Sequence, residues 1–139
     1  NGREDHHITS AKALENDEHL KKWFDYSEII IMKEAVEDHR ASSNKVPRTI
    51  YGKIIADADR EIDMERVLYR VMQYGKDHFP QYSLEEQSER SFNHIVDKYG
   101  ENGYMHLYLD SGDSLRRLKE LQQLLADRAA FDNRFSKYY

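Results

Sequence analysis

The sequence predicts an all-α fold, a bundle of about six or seven helices. Apolar residues recur with the period of an α-helix along most of the 139 residues. Helix-capping signals precede several of these apolar segments, and the chain has only two prolines. Aromatic residues make up 12% of the chain, which argues against disorder. We therefore expect a single domain over residues 1–139, a length at which one hydrophobic core suffices.

Two capping boxes and one further capping residue mark predicted helix starts. Asp25 is followed three residues later by Glu28, Ser83 is followed by Glu86, and Asp63 also precedes an apolar periodic segment. The predicted helices cover about residues 8–16, 27–40, 48–62, 63 to between 75 and 80, 84–99 and 113–131, with a short helical segment at 20–24 and a short strand or extended loop at 104–109.

The predicted helix at about residues 48–62 combines an apolar stripe with two acidic residues. The stripe consists of Ile50, Ile54, Ala58 and Ile62, and we expect it to face the core. Asp57 and Asp59 flank the stripe about equally. Residues two apart on a helix are separated by roughly 200°, so the two carboxylates cannot easily share one pocket. Periodicity does not choose between them, and a solvated surface position is the ordinary alternative for each.

Histidines at two places in the sequence are candidate site residues. His39 is in phase with the apolar face of its helix, where it is either a buried, hydrogen-bonded residue near the helix C-terminus or a ligand that points into the bundle. His6 and His7 precede the first helix, and an adjacent pair there is a weak metal signal with a surface pair as the alternative. Cysteine is absent, which excludes disulfides and thiolate sites. A metal ion must therefore bind to His, Asp or Glu.

The charge and the apolar runs bear on the partners. The net charge of −5 disfavours non-specific binding to a nucleic-acid polymer. The longest apolar run, residues 29–32, is far shorter than the roughly 20 residues that a membrane helix needs. We therefore predict neither a nucleic-acid polymer nor a membrane as a partner. The sequence shows no apolar signal segment, and on that ground we expect a cytoplasmic location.

Three segments, in this order, carry a resemblance to a known family. They are residues 6–11 (HHITSA), 34–43 (EAVEDHRASS) and 47–60 (PRTIYGKIIADADR). Over about residues 3–63 the chain resembles the HD-domain superfamily of metal-dependent phosphohydrolases, particularly small bacterial HD-domain hydrolases. The resemblance implies an HD-domain-like helical bundle, with residues 1–63 as the later part of the HD-type core and residues 64–139 as C-terminal helices that pack on it.

The same resemblance implies a metal site and an activity. The implied ligands of a divalent metal ion (Mn, Fe, Ni, Co, Zn or Mg) are Asp59, His7 and His39, with Asp59 and His39 as the catalytic residues. The Ala-Asp-Arg context selects Asp59 over Asp57. In a site with one metal ion, His7 and His39 would instead bind the substrate phosphate. The implied reaction is the hydrolysis of a phosphoester by metal-activated water.

The implied substrate is a small phosphorylated molecule, such as a nucleotide or a related metabolite. Arg40 and Lys53 are the candidate cations for its phosphate group, and His6 is a further candidate for substrate binding. Arg3 is a weaker candidate. A surface charge is the ordinary alternative for each of the three basic residues.

The chain departs from the family pattern at its start. The family's first His and its adjacent His-Asp pair should lie upstream, and no His-Asp dipeptide occurs in the sequence. The sequence opens with Asn1-Gly2-Arg3 and no initiator Met, and we expect that the N-terminal part with these motifs is absent from this chain. The alternative is a catalytically inactive HD-like helical domain that binds a ligand or a protein partner. A homo-oligomer is compatible with both.

Overall fold

The computed structural model describes residues 5–43, 45–109 and 111–139, and this part of the chain is all-α. Its helices are α1 (His6–Glu15), α2 (Tyr26–Asp38), α3 (Ile50–Ala58), α4 (Met64–His78), α5 (Leu84–Tyr99), α6 (Gly112–Ala126) and α7 (Arg128–Ser136), with 3-10 turns at Leu20–Lys22 and Ala41–Ser43. No strand occurs in the described ranges, so residues 104–109 form a loop. The predicted all-α fold of six or seven helices is confirmed. None of the described helices is both long enough and apolar enough to span a membrane.

The contacts between elements divide the chain into two compact units. Unit 1 comprises the described residues of Asn1–Arg60 together with His106–Leu109. Unit 2 comprises those of Glu61–Met105 and Asp110–Tyr139. The division after Arg60 falls near the predicted division after residue 63. The expectation of one domain over residues 1–139 stays a prediction.

In unit 1, α2 packs against both α1 and α3. The predicted capping box starts α2: the Asp25 side chain accepts a hydrogen bond from the Glu28 backbone, and the Glu28 carboxylate accepts one from the Asp25 backbone. The buried residues of α3 are small, Gly52 and Ala56. A Cβ atom on Gly52 would lie 3.0 Å from the Pro47 Cβ atom and 3.7 Å from the Ala35 Cα atom of α2. The backbones of α2 and α3 therefore approach closely at Gly52.

Two expectations about α3 are wrong. The predicted buried stripe is largely exposed, with 54% of Ile50 and 47% of Ile54 accessible to solvent. The physical reason is that α3 turns its small residues, not its isoleucines, toward the protein. The helix also ends at Ala58 rather than near residue 62, because the backbone tightens there and the Arg60 N–H bonds the Asp57 carbonyl three residues back.

In unit 2, α5 packs against α4, α6 and α7. Its N-terminus has the second predicted capping box, formed by Ser83 and Glu86. Asp63 caps α4, as predicted, by accepting a hydrogen bond from the Arg66 backbone. The large side chains that are fully covered in unit 2 are Phe131, Phe135, Leu68, Met72, Ile95 and Leu121.

The predicted helix over residues 113–131 is in fact two helices. Asp127 separates α6 from α7, and its side chain accepts a hydrogen bond from the Ala130 N–H at 3.0 Å. Its extended backbone, with φ −119° and ψ 98°, cannot continue the helix. The apolar period runs through this break, which is why periodicity alone joined the two helices.

Candidate functional site

Two of the predicted site histidines meet in unit 1. His6 lies in the first turn of α1, and His39 is the residue that follows α2. Their Nε2 atoms are 3.2 Å apart, and the two ring planes are inclined at 68°. The packing of α1 on α2 therefore brings together two side chains that are 33 residues apart in the sequence.

The ring of His39 is held in a defined orientation by a backbone bond. Its Nδ1 atom lies 2.6 Å from the carbonyl oxygen of Val36. A carbonyl oxygen only accepts, so Nδ1 carries the proton and donates. In the neutral ring the lone pair is then on Nε2, the atom that faces His6. A histidine that donates through one nitrogen and presents the lone pair of the other is the arrangement found in metal-ligating histidines.

The surroundings of His7 favour its neutral form over its charged form. Burial lowers the pKa of His7, and electrostatic interactions with Arg40, His6 and His39 lower it further, while the interaction with Asp5 raises it. The His7 Nδ1 atom is buried and has no hydrogen-bond partner within the described part of the chain. Its ring meets the His6 ring edge-on, with centroids 5.7 Å apart. His7 thus presents one buried ring nitrogen without a hydrogen bond in the described part of the chain, beside the His6–His39 pair.

The side chains of the two acidic candidates, Asp57 and Asp59, have different surroundings in the structure. The Asp57 carboxylate accepts hydrogen bonds from the backbone N–H groups of Tyr108, at 2.9 Å, and Leu109, at 2.8 Å. Asp57 therefore holds a loop in place. Asp59 follows α3, is exposed, and makes no side-chain hydrogen bond or ion pair with any residue that the structure describes. The assignment of Asp59 as a metal ligand and catalytic residue stays a prediction.

The predicted phosphate-binding cations are placed differently from one another. Arg40 follows His39 directly, and its Nε atom donates to the Ser42 hydroxyl at 2.9 Å. Its charge acts on His7, which places it within electrostatic reach of the histidines. Lys53 is half-buried on α3, and its ammonium group forms no ion pair with a described residue. Arg3 lies outside the described residues.

Arg60 is a residue of this site that no sequence pattern singled out. It is only 8% exposed, and its Nη1 atom donates to the His39 carbonyl at 3.2 Å and to the Ala56 carbonyl. Its guanidinium also lies over the Tyr108 ring, 5.3 Å from the centroid. Sequence reasoning missed it because Tyr108 comes from a distant part of the chain and no local spacing links the two.

A cavity of about 420 Å³, lined by both charged and apolar residues, adjoins His7. Its lining residues are His7, Ile8, Glu37, Asp38, Ser43, Lys45, Val46 and Arg48. The charge of Arg48 is already compensated, since its guanidinium bonds Asp38 at 3.0 Å and Glu37 at 2.6 Å, and these bonds raise its pKa. Lys45 is the lining cation for which the described chain supplies no ion-pair partner. No sequence motif marks Lys45, which belongs to a polar segment between two predicted helices.

The donor atoms fit a metal ion in part. Two histidine nitrogens bound to one ion at about 2.0–2.1 Å and tetrahedral or right angles are roughly 2.8–3.4 Å apart. The 3.2 Å separation of the His6 and His39 Nε2 atoms falls in this interval. However, across residues 5–43, 45–109 and 111–139 no group of three or more His, Asp or Glu side chains is placed to hold a metal ion. Only the spacing of the His6–His39 pair is compatible with a shared ion, and the assignments of His7, His39 and Asp59 as ligands stay predictions.

Comparisons with protein-family models, with curated proteins and with solved structures each found no match for this chain. The resemblance to the HD-domain superfamily rests on the residues at 6–11, 34–43 and 47–60 alone, and it stays a prediction. What the structure adds is the placement of those segments. His6, His7, His39 and Arg40 belong to one cluster at which α1 meets the end of α2.

Proposed function

We propose that this chain is a metal-dependent phosphohydrolase that acts on a phosphoester, in a small nucleotide or a related metabolite. The observation that supports this most is the His6–His39 pair, with Nε2 atoms 3.2 Å apart and His39 oriented by the Val36 carbonyl. Imidazole nitrogens arranged in this way suit borderline divalent ions. The proposal includes a cytoplasmic location, and no nucleic-acid polymer or membrane as partner.

The proposal gives each residue a task. His39, His7 and Asp59 are the metal ligands that the sequence predicts, and His39 would bring its Nε2 nitrogen to a divalent ion. His6, which the sequence predicts for substrate binding, would bring a second nitrogen because its Nε2 atom lies beside that of His39. When bound, the ion would polarise a phosphate oxygen and acidify a water molecule. Arg40 would bind the phosphate group, because a guanidinium matches phosphate oxygens in charge and geometry. Lys53 and Lys45 would supply further positive charge toward the substrate.

Metal binding is the first test of the proposal. The complete chain, freed of metal, is titrated with Co²⁺, whose visible absorption reports on nitrogen and oxygen ligands, and metal content is measured after reconstitution with Mn²⁺, Fe²⁺ or Ni²⁺. We expect one or two ions per chain in the wild type and fewer in His39→Ala and Asp59→Ala. His19→Ala is the matched control, since His19 is exposed and lies outside the cluster, and it should bind like the wild type.

The outcomes separate the possibilities. Metal binding that depends on His39, together with metal-dependent release of phosphate from a panel of phosphoesters, supports the proposal. A wild-type chain that binds none of these ions contradicts it. So does a chain in which His19→Ala lowers metal content as much as His39→Ala. Circular dichroism of each variant establishes that the helices are retained.

The competing function is a catalytically inactive HD-like domain that binds a ligand. A specific observation favours it: unit 1 has an apolar cavity of about 420 Å³ with aromatic and aliphatic walls. Its lining residues are Leu14, Phe24, Glu28, Ile31, Met32, Ala35, Val36, Tyr51 and Ile55. An apolar cavity of this size suits a small apolar molecule. A chain without metal that binds a solvatochromic apolar dye, with binding weakened by Met32→Glu, would favour this function instead.

A further inference from the structure

We infer that Arg60 is a positioning residue for His39, and that Asp57 and the loop His106–Leu109 hold Arg60 in the position this requires. The inference concerns contacts inside unit 1 and deepens the proposed function. It rests on that function only where metal binding is the readout.

Arg60 is a buried cation that is not neutralised by an acid. It is 8% exposed, and no carboxylate among the described residues forms an ion pair with it. Its Nε atom is buried and makes no hydrogen bond within the described part of the chain. Burying a guanidinium group without an acidic partner is unfavourable unless hydrogen bonds and packing offset the lost hydration. The remaining contacts of the Arg60 guanidinium, with two backbone carbonyl groups and the Tyr108 ring, must offset this cost.

Those contacts join the ends of two helices. The Nη1 atom donates to the carbonyl of His39, which follows α2, and to the carbonyl of Ala56 in the last turn of α3. The last carbonyl groups of a helix have no partner within the helix and form the negative end of its dipole. One guanidinium group thus caps the C-terminal ends of α2 and α3 together. This bond fixes the backbone of His39, while the Val36 carbonyl fixes its ring.

The loop His106–Leu109 keeps the guanidinium in place from its other side. The Tyr108 ring lies against the guanidinium with its centroid at 5.3 Å. The backbone N–H of Tyr108 donates a hydrogen bond to the Asp57 carboxylate at 2.9 Å, and the Tyr108 hydroxyl donates one to the Lys45 carbonyl at 3.4 Å. Asp57 is thereby linked through Tyr108 and Arg60 to His39. This explains why one aspartate of the Asp57–Ala58–Asp59 segment binds a loop and not the cluster.

The test uses the full chain and two readouts. The first is long-range ¹H–¹⁵N NMR of the histidine rings without metal, which reports the tautomer of His39. The second is the affinity for Co²⁺. The variants are Arg60→Met, which removes the charge at similar length, and Arg60→Lys, which keeps a cationic donor. Arg66→Met is the matched control, because Arg66 lies in unit 2 with a side chain that is 75% exposed.

We expect Arg60→Met to abolish the single Nδ1–H tautomer of His39 and to weaken Co²⁺ binding roughly 10- to 100-fold, the range for residues that orient a ligand. Arg60→Lys should recover most of both signals, and Arg66→Met should leave both unchanged. Asp57→Asn and Tyr108→Leu should give the same changes more weakly. These two variants keep the inference testable if Arg60→Met fails to fold, as circular dichroism would show.

Failure of the inference and failure of the proposed function are distinguishable. If the wild type binds no Co²⁺, the proposed function is overturned, and the NMR readout alone decides on the positioning role. The inference is overturned if a folded Arg60→Met chain keeps the wild-type His39 tautomer and, where the wild type binds Co²⁺, its affinity. It is also overturned if Arg60→Lys is as impaired as Arg60→Met, because rescue by a cationic donor is what a capping role requires.

Discussion

Units 1 and 2 bury different kinds of side chain. The covered core of unit 2 consists of large apolar residues on several helices, with Phe131 and Phe135 stacked at 5.6 Å between ring centroids. In unit 1 the fully covered residues on the helices are mostly alanines, Ala11, Ala35 and Ala56, with Ile29 as the larger member. Most of the large apolar side chains that stay exposed also belong to unit 1, Trp23 and Tyr26 among them. Both units are helical, but burial of large side chains dominates only in unit 2.

The difference bears on where chemistry can be accommodated. Small residues between α2 and α3 bring backbones close and leave room for polar groups at the helix ends, where His39 and Arg60 lie. Unit 1 relies in part on polar links, such as Arg48 with Glu34, Glu37 and Asp38. Ion pairs of this exposure stabilise only weakly. We therefore expect the substitutions that lower the free energy of unfolding most to lie in unit 2. The substitutions that affect function most should lie in unit 1.

The largest expected effect lies in the core of unit 2. Phe131→Ala removes a fully buried ring in contact with Phe92 and Phe135, and the free energy of unfolding should fall by about 3–5 kcal/mol. Ile54→Ala in unit 1 removes a half-exposed side chain, and the fall should be about 1 kcal/mol or less. Urea denaturation followed by circular dichroism measures both variants. Equal losses in the two variants would contradict the comparison.

The next effect concerns the close approach of α4 and α5. A Cβ atom on Gly75 would lie 2.0 Å from the Gln87 Oε1 atom, and Gln87 cannot move freely because it is buried and its Nε2 atom donates to the Gly75 and Phe79 carbonyls. We expect Gly75→Ala to lower the free energy of unfolding by about 1–3 kcal/mol. Gly112→Ala is the control, since no atom lies within 4 Å of its added Cβ, and it should be neutral or slightly stabilising. Thermal denaturation of both variants decides.

The two capping boxes allow the same change in each unit. Asp25→Ala removes the cap of α2, and Ser83→Ala removes the cap of α5. Each should cost about 1 kcal/mol, because an orphan helix N–H loses its acceptor. Hydrogen exchange followed by mass spectrometry should show faster exchange in α2 for the first variant and in α5 for the second. Exchange that rises equally throughout the chain in both variants would show that the units do not open independently.

The smallest expected effect is a difference in pH response. The pKa of His7 in unit 1 is lowered, chiefly by burial, so the folded chain binds fewer protons there than the unfolded chain. The stability that neutral His7 contributes is complete above pH 6.5 and is lost as the pH falls from 6.5 through the lower folded-state pKa. In metal-free protein, the wild type should therefore lose stability relative to His7→Ala on acidification below pH 6.5.

Unit 2 should respond in a different pH window. Burial acts to raise the pKa of Asp132, but hydrogen bonds from Ser88 and Arg128 hold it below its ordinary 3.8. Its contribution is present above pH 3.8 and is lost as the pH falls through the folded-state pKa. Denaturation of wild type and Asp132→Asn across this range measures it. If the stability that Asp132 contributes were already lost above pH 3.8, the result would contradict a lowered pKa.

Local rules predicted the helix starts well. The boxes at Asp25 and Ser83 and the cap at Asp63 need only residues a few positions apart, and all three are present. The break at Asp127 was missed because the apolar period continues across it, although aspartate is itself a common cap. The exposed face of α3 was mispredicted because periodicity marks large apolar residues, whereas close packing here selects Gly52 and Ala56.

The candidate site was predictable only in part. The sequence pattern selected His6, His7, His39 and Arg40, and the structure brings them into one cluster. The different environments of Asp57 and Asp59 could not be derived from helix geometry, because they depend on a loop that follows some fifty residues later in the chain. Arg60 was missed for the same kind of reason, since its contact with Tyr108 joins distant segments, whereas Lys45 was missed because no sequence motif marks it.

The bond between Asp57 and Tyr108 also sets an order of events during synthesis. The two residues are 51 positions apart, so α1, α2 and α3 leave the ribosome well before the loop that completes them. At translation rates of 5–20 residues per second, the delay is about 3–10 s. During that time the Asp57 carboxylate and the Arg60 guanidinium lack their partners from the loop. Unit 1 can thus complete its native contacts only after the ribosome has made residues 106–109, in the second half of the chain.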